Sequence, residues 1–79
     1  MKIKTTAYDN KTGYEEVSDE VYEIVDNSHA WVHEKYSAGC LVRIVKRKHD
    51  TQGWVIVTPY DSDVCFYGGI PQDKLRIVK

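Results

Sequence analysis

The chain has 79 residues, of which 42% are hydrophobic and 29% charged, and its formal net charge is −1 at pH 7. A chain of this length forms one domain, here 1–79, with one small core, and this composition excludes an intrinsically disordered protein. A net charge so close to zero excludes a strong overall attraction to nucleic acid or to an anionic membrane.

The first predicted elements form a hairpin. Residues 2–8 alternate in polarity and predict a strand. Residues 9–13 are rich in turn formers, and Gly13 can supply the positive φ that a bulged turn needs. The returning segment is expected to begin at Tyr14.

Residues 14–26 fit two patterns. Their apolar side chains recur at helical spacing, and the acids would then lie in the first turns, where the helix dipole favours them. Residues 21–25, however, alternate and are rich in strand-forming side chains. The sequence favours a short helix or an irregular acidic loop, followed by a strand over 21–25.

The remainder of the chain predicts short strands separated by turns, a pattern typical of a small β-barrel. Pro59 is expected to end or bend a strand, and Pro71 can begin a single helical turn because the first helical position needs no N–H partner. The predicted strands are 30–36, 41–47, 54–58, 64–67 and 75–78. The helical turn is predicted over 70–74, and turns or loops over 37–39, 48–53 and 61–63. Gly68 and Gly69 are expected to end the strand predicted over 64–67.

Neither end of the chain predicts export or membrane insertion. No apolar run follows the first lysines, as it would in a signal peptide, and no segment approaches the ~20 apolar residues of a membrane helix. Cys40 and Cys65 lack C-x-x-C spacing and are too few for a disulfide scaffold, which favours two reduced thiols. We therefore expect a cytoplasmic protein without membrane contacts.

Charge is unevenly distributed along the chain. Residues 1–39 hold eight acids and four lysines, a balance of −4, whereas residues 40–79 hold seven bases and four acids, a balance of +3. Such asymmetry marks either a nucleic-acid or partner surface, or two halves that pack with complementary charge.

Three pieces of the second half occur in a known order: AGCLVRIV at 38–45, QGWVIV at 52–57 and GIPQDKL at 69–75. They resemble the diverging turn and following strand, the tryptophan strand, and the 3₁₀ turn of the Src-homology-3 family. The resemblance covers about residues 38–79. It implies a mostly β fold, a small Src-homology-3-like barrel, preceded over 1–37 by the hairpin and an acidic insertion with room for one short helix.

Aromatic side chains build the groove of those family members that bind proline-rich peptides. The resemblance assigns Trp54 and Pro71 to this groove, and residues 6–9 imitate the family's first-strand motif. Lys74 stands where the family's last tyrosine lies, so one aromatic ridge is missing. The resemblance therefore implies a binding module but does not favour proline-rich ligands.

Plasmid-type dihydrofolate reductases are also barrels of similar length. Their active strand reads V-Q-I-Y, whereas residues 64–67 read V-C-F-Y, so that Cys65 replaces the glutamine that holds the ligand.

His29 and His33 would lie ~13 Å apart on a strand, with no third metal ligand nearby. We expect no enzyme, no cofactor and no metal site.

The leading hypothesis is a non-enzymatic module that docks on a partner protein as a regulator or inhibitor, of the kind that a phage or mobile element encodes. An acidic surface can compete for a basic site on a partner, and tyrosine and tryptophan anchor interfaces. The predicted protein-binding residues are Glu15, Glu16, Asp19, Glu20, Tyr22, Glu23, Trp31, Trp54 and Pro71.

The alternative hypothesis is a nucleic-acid-binding barrel, because small barrels pair basic side chains with stacking aromatic rings. The sequence leaves the identity of a partner protein and the oligomeric state open. The residues that this alternative would use are Arg43, Lys46, Arg47, Lys48 and Trp54.

Overall fold

A computed structural model describes residues 1–26, 36–47 and 52–78. These residues are mostly β, as the sequence predicted. A 3₁₀ turn, Gln72–Lys74, connects the last two strands. Within the described ranges, no helix has both the length and the apolar character to cross a bilayer. The strands are β1 (Lys2–Lys4), β2 (Tyr14–Glu16), β3 (Tyr22–Ile24), β4 (Leu41–Val45), β5 (Trp54–Pro59), β6 (Gly68–Pro71) and β7 (Leu75–Ile77).

Five strands form one curled antiparallel sheet, a half-barrel, in the order β6-β5-β4-β3-β7. The strands β1 and β2 form a separate antiparallel hairpin. Two isolated bridges attach this hairpin to the rest of the protein, one between Val17 and Val45 and one between Lys4 and Val64.

Both faces of the central strands β4 and β5 are covered. Successive residues of a strand point to opposite faces, so Val42 and Val45 enter different apolar clusters. This two-sided burial explains why both strands read as nearly continuous apolar runs. The inner cluster consists of Ile24, Tyr36, Val42, Val57 and Ile70, and the outer cluster consists of Val17, Val45 and Cys65 with Ile3 and Ile56 packed against them.

The amino-terminal hairpin is confirmed, although β1 is shorter than predicted. Gly13 has φ +78 in the connecting turn, the conformation for which the glycine was expected. The helical interpretation of residues 14–20 is wrong, whereas the strand expected over 21–25 is confirmed by β3. The backbone of this segment bonds to other strands instead: the amide of Ser18 donates to Ile44 O at 2.8 Å, and Glu16 O accepts the amide of Lys46 at 2.8 Å.

The strand β6 lies later in the chain than predicted. Residues 64–67 form only an isolated bridge at Val64, and the strand begins at Gly68, where the sequence suggested a break. A Cβ at Gly68 would lie 2.8 Å from Cζ of Tyr36. Glycine at this position therefore lets the tyrosine ring pack against the strand. The prediction that Gly68 interrupts a strand is wrong.

The other described predictions are confirmed within one or two residues. The strands predicted over 41–47, 54–58 and 75–78 correspond to β4, β5 and β7, and the helical turn corresponds to Gln72–Lys74. Residues 27–35 and 48–51 lie outside the described residues. This applies to Trp31 and Lys48, to both histidines considered above, and to most of the strand predicted over 30–36.

Candidate functional site

An open pocket lies where β5 begins and β6 ends. Trp54 and Pro71 are directly opposite each other in the register of these two strands. The pocket has a volume of ≈ 470 Å³. The residues lining it are Gln52, Gly53, Trp54, Pro71, Gln72 and Asp73.

Local backbone geometry fixes the shape of this pocket. The amide of Gln72 donates a hydrogen bond to Gly53 O at 2.8 Å, which ties the 3₁₀ turn to the segment entering β5. Pro71 caps the turn with φ −60, close to the angle that its ring imposes. Trp54 is thereby held beside the residues of the turn.

The pocket combines an aromatic ring with polar groups at its rim. Trp54 and Pro71 are half-buried, whereas Gln52, Gln72 and Asp73 are exposed. Within the described part of the chain, no cation forms an ion pair with Asp73. An indole face next to a carboxylate attracts a cationic side chain, because the ring quadrupole and the carboxylate act on it together.

The acidic residues predicted to dock a partner do not form one free surface. Glu16 and Asp19 lie 3.4 Å and 3.3 Å from the amino nitrogen of Met1. Glu20 is exposed, and its carbonyl oxygen accepts a hydrogen bond from Ser18 Oγ at 2.8 Å. Of these acids, Glu20 is the one that no cation contacts within the described residues.

Two further predicted docking residues serve the sheet. Glu23 and Arg76 are register partners on β3 and β7 and form a cross-strand ion pair. Tyr22 is half-buried and packs against the inner cluster. Neither side chain lies at the pocket formed around Trp54.

Glu15 belongs to the connection between hairpin and sheet. Its Oε2 atom accepts hydrogen bonds from the Tyr67 hydroxyl at 2.7 Å, Arg47 Nη2 at 2.9 Å and Asn10 Nδ2 at 3.3 Å. Because the Tyr67 hydroxyl donates to this carboxylate, its oxygen accepts from the Thr5 hydroxyl at 2.6 Å. We call these five residues, Thr5, Asn10, Glu15, Arg47 and Tyr67, the Glu15 latch.

Electrostatics support the geometry of this latch. The Arg47 guanidinium also pairs with Asp9 at 3.1 Å and lies 5.1 Å from the centroid of the Tyr67 ring. The hydrogen bond to Asp9 and the charge of Glu15 raise the pKa of Arg47. Burial, together with the bond to Glu15, raises the pKa of Tyr67 to about 12, although the bond to Thr5 lowers it. The latch is therefore held by charged and neutral donors that converge on one carboxylate.

The neighbouring thiol has no sign of activation. Cys65 is buried in the outer cluster. Burial raises the pKa of this thiol. A raised pKa disfavours the thiolate, which is the nucleophilic form of cysteine.

Two of the basic residues predicted to bind nucleic acid are engaged by other groups of the same chain. Arg43 Nη1 donates to Ser18 O at 3.0 Å and to Asp19 O at 2.8 Å, and its guanidinium lies 5.0 Å from the centroid of the Tyr60 ring. Arg47 belongs to the Glu15 latch. Lys46 is exposed, so it is the one described lysine or arginine of this set that has its charge free for a ligand.

Sequence reasoning found two of the pocket residues and missed the polar ones. The resemblance indicates Trp54 and Pro71, whereas it gives no role to Gln52, Gln72 and Asp73. The available signal was that they lie within two residues of Trp54 or Pro71, since strand pairing brings the flanks of paired residues together.

Within the described ranges, no group of three or more His, Cys, Asp or Glu side chains is arranged to hold a metal ion.

Comparison with known protein families, with curated proteins and with solved structures finds no match to this chain. The functional evidence is therefore the geometry of the molecule itself.

Proposed function

We propose that the protein is a non-enzymatic binding module that docks on a basic segment of a partner protein and thereby regulates or inhibits that partner. The observation that carries this proposal is the pocket in which Trp54 faces Pro71 beside Asp73. The pocket provides a ring for the stem and charge of a lysine or arginine, and a carboxylate for its head group.

We infer further that the five-stranded sheet is a Src-homology-3-like barrel. This inference is supported by the strand order and by the 3₁₀ turn between β6 and β7. The strand beside β7 is β3, so β3, and not the segment 6–9, would take the position of the family's first strand. The amino-terminal hairpin is then an addition to the barrel.

A basic ligand is favoured over a proline-rich one. Lys74, which replaces an aromatic residue of the family's groove, lies 3.7 Å from Asp26. The amide of Val25 donates to Lys74 O at 2.8 Å, which places these residues side by side. The region next to the pocket thus carries the ion pair of Lys74 with Asp26 and the aliphatic side chain of Val25. Polyproline segments, in contrast, dock on successive aromatic ridges.

The acidic stretch contributes less than the sequence suggested. Glu15 and Glu23 are engaged with arginines of the same chain, so their charges are already compensated. Glu20 and Asp73 are exposed and remain available. We therefore assign partner recognition chiefly to Trp54, Pro71 and Asp73.

A peptide display experiment tests this proposal. The immobilised protein selects from a random peptide library, and we expect the enriched peptides to share at least one lysine or arginine. The affinity of a selected peptide is then titrated against Asp73→Asn and, as the matched control, Glu20→Gln. Both substitutions remove one exposed carboxylate charge without touching either apolar cluster.

We expect Asp73→Asn to weaken the selected peptide about fivefold to tenfold, as loss of a partly desolvated charge interaction would. Glu20→Gln should change the affinity less than twofold. The proposal fails if the enriched peptides carry no basic residue. It also fails if Glu20→Gln weakens binding as much as Asp73→Asn does, because the acidic stretch would then be the docking surface.

A further inference from the structure

The hairpin presents an exposed face on the side opposite the outer cluster. On β1, Ile3 packs against the outer cluster, while Lys2 and Lys4 on either side of it are exposed. On β2, Glu15 is buried, and its neighbour Tyr14 is 50% exposed. Lys4 and Tyr14 are register partners and therefore project side by side from this face.

A third segment widens this face. Lys4 forms a parallel bridge with Val64, and its carbonyl oxygen accepts the amide of Cys65 at 2.7 Å. Cys65 belongs to the outer cluster, whereas the side chain of the adjacent residue, Phe66, is 54% exposed. The hairpin face, which we define as Lys2, Lys4, Tyr14 and Phe66, thus has a central basic strand between two exposed rings.

The two lysines of this face differ in their surroundings. Within the described part of the chain, neither Lys2 nor Lys4 forms an ion pair. Glu16 lies on the same face at the Lys2 end, where it contacts the amino group of Met1. The end of the face that holds Lys4, Tyr14 and Phe66 is therefore positive and aromatic.

We propose that the hairpin face binds single-stranded nucleic acid. Bases stack on Tyr14 and Phe66, and Lys2 and Lys4 contact the phosphates that run between them, the combination by which proteins hold single strands without reading their sequence. This site is separate from Arg43 and Arg47, which the fold uses internally, and it does not depend on the proposed role of the Trp54 pocket.

Three consequences follow from this mode of binding. Binding is modest and falls steeply with salt, because each phosphate contact releases counterions. Binding also tolerates different sequences, since every base offers a face for stacking. Duplex DNA binds more weakly than a single strand, because its bases are already stacked on one another.

Fluorescence anisotropy with a labelled oligothymidylate of ~12 nucleotides at low salt tests the proposal. We expect Tyr14→Ala and Phe66→Ala each to weaken binding about tenfold, the loss expected for one base stacked on one ring. Tyr8→Ala is the matched control, because Tyr8 is fully exposed in the hairpin turn and lies outside the face. It should leave the affinity unchanged.

The lysines are tested through the salt dependence. A double variant, Lys2→Gln with Lys4→Gln, should reduce the slope of log affinity against log salt by about 1.4, since each single-strand phosphate contact contributes ~0.7. Lys11→Gln, which removes an exposed charge from the turn, should leave the slope as it is. Thermal unfolding of each variant separates a lost contact from a lost fold.

Three results would overturn the proposal. The first is that the unaltered protein does not bind the oligonucleotide even at low salt. The second is that Tyr14→Ala and Phe66→Ala, both folded, weaken binding no more than Tyr8→Ala. The third is that Lys46→Gln reduces the salt slope and the Lys2 and Lys4 double variant does not, which would assign binding to the other basic segment.

Discussion

The two apolar clusters on either side of β4 and β5 are built differently. The inner cluster is formed mainly by strands of the five-stranded sheet itself, with Ile24, Val42, Val57 and Ile70 pointing inward. The outer cluster is smaller and needs the amino-terminal hairpin to cover it. Beside it lies a charged side chain, Glu15, which is 8% exposed and accepts three hydrogen bonds.

The comparison shows how a short chain covers both faces of one sheet. A small apolar cluster offers limited hydrophobic stabilisation, roughly 25 cal/mol for each Å² buried. Charge-assisted hydrogen bonds are stronger than neutral ones, and the Glu15 latch adds them where the apolar contact is small. The hairpin is therefore attached partly by charge-assisted hydrogen bonds, whereas the inner cluster of the half-barrel is stabilised mainly by apolar packing.

The largest expected effect concerns the inner cluster. Ile24→Ala should lower the free energy of unfolding by about 2–5 kcal/mol, because it removes fully buried methyl and methylene groups from a closed core. Chemical denaturation measures this change. Ile77→Ala is the control, since Ile77 is 57% exposed on β7 and should cost much less. Equal losses at the two positions would contradict the placement of the core.

A smaller effect is expected at the latch. Glu15→Gln should lower the free energy of unfolding by about 2 kcal/mol, because Arg47 and Tyr67 lose a charged acceptor. Asp9→Asn removes the other carboxylate that pairs with Arg47, but Asp9 is largely exposed, so about 0.5 kcal/mol or less is expected.

Hydrogen exchange shows where the latch acts. In Glu15→Gln, the amides of β1 and β2 should exchange faster, while those of β3 and β7 keep their protection. If all strands lose protection together, the hairpin and the half-barrel unfold as one unit, and the distinction between the two clusters is wrong.

The smallest expected effect concerns two tyrosines, whose contribution to stability changes only at alkaline pH. Burial raises the pKa of Tyr36 to about 12, and burial together with Glu15 raises the pKa of Tyr67 to about 12, from an ordinary value of 10.0. A raised folded-state pKa means that the neutral phenol favours folding. This contribution is fully present below pH 10 and is lost as the pH rises toward 12.

Unfolding midpoints measured between about pH 9 and 12 test this expectation. The unaltered protein should lose stability across this range, and Tyr36→Phe should lose less. A profile that is unchanged by Tyr36→Phe would mean that the buried phenol does not contribute to the alkaline transition.

Most of the fold could be predicted because local signals agreed with tertiary structure. The strand β5 is a continuous run of strand formers that begins after Gly53 and ends at Pro59. The strand β6 could not be predicted in the same way. Gly68 carries no strand signal by itself, and its reason for being glycine is the ring of Tyr36, far away in the sequence.

The site was predictable only where it coincided with a familiar pattern. Trp54 and Pro71 stood out as part of a resemblance, whereas the role of Asp73 depends on the pairing of β5 with β6. Glu15 looked like one acid among several. The signal that it points inward, toward Arg47, was its shared parity with Val17, the apolar residue directly after β2.

A nitrogen-15 NMR titration tests the central claim most directly. The labelled protein is titrated with a lysine- or arginine-containing peptide selected by display, and the shifted signals are mapped onto the strands. We expect the amides of Gln52, Gly53, Gln72 and Asp73 and the indole of Trp54 to shift together, as docking in the pocket requires. Shifts confined to residues 15–23 would contradict that claim and return partner binding to the acidic stretch.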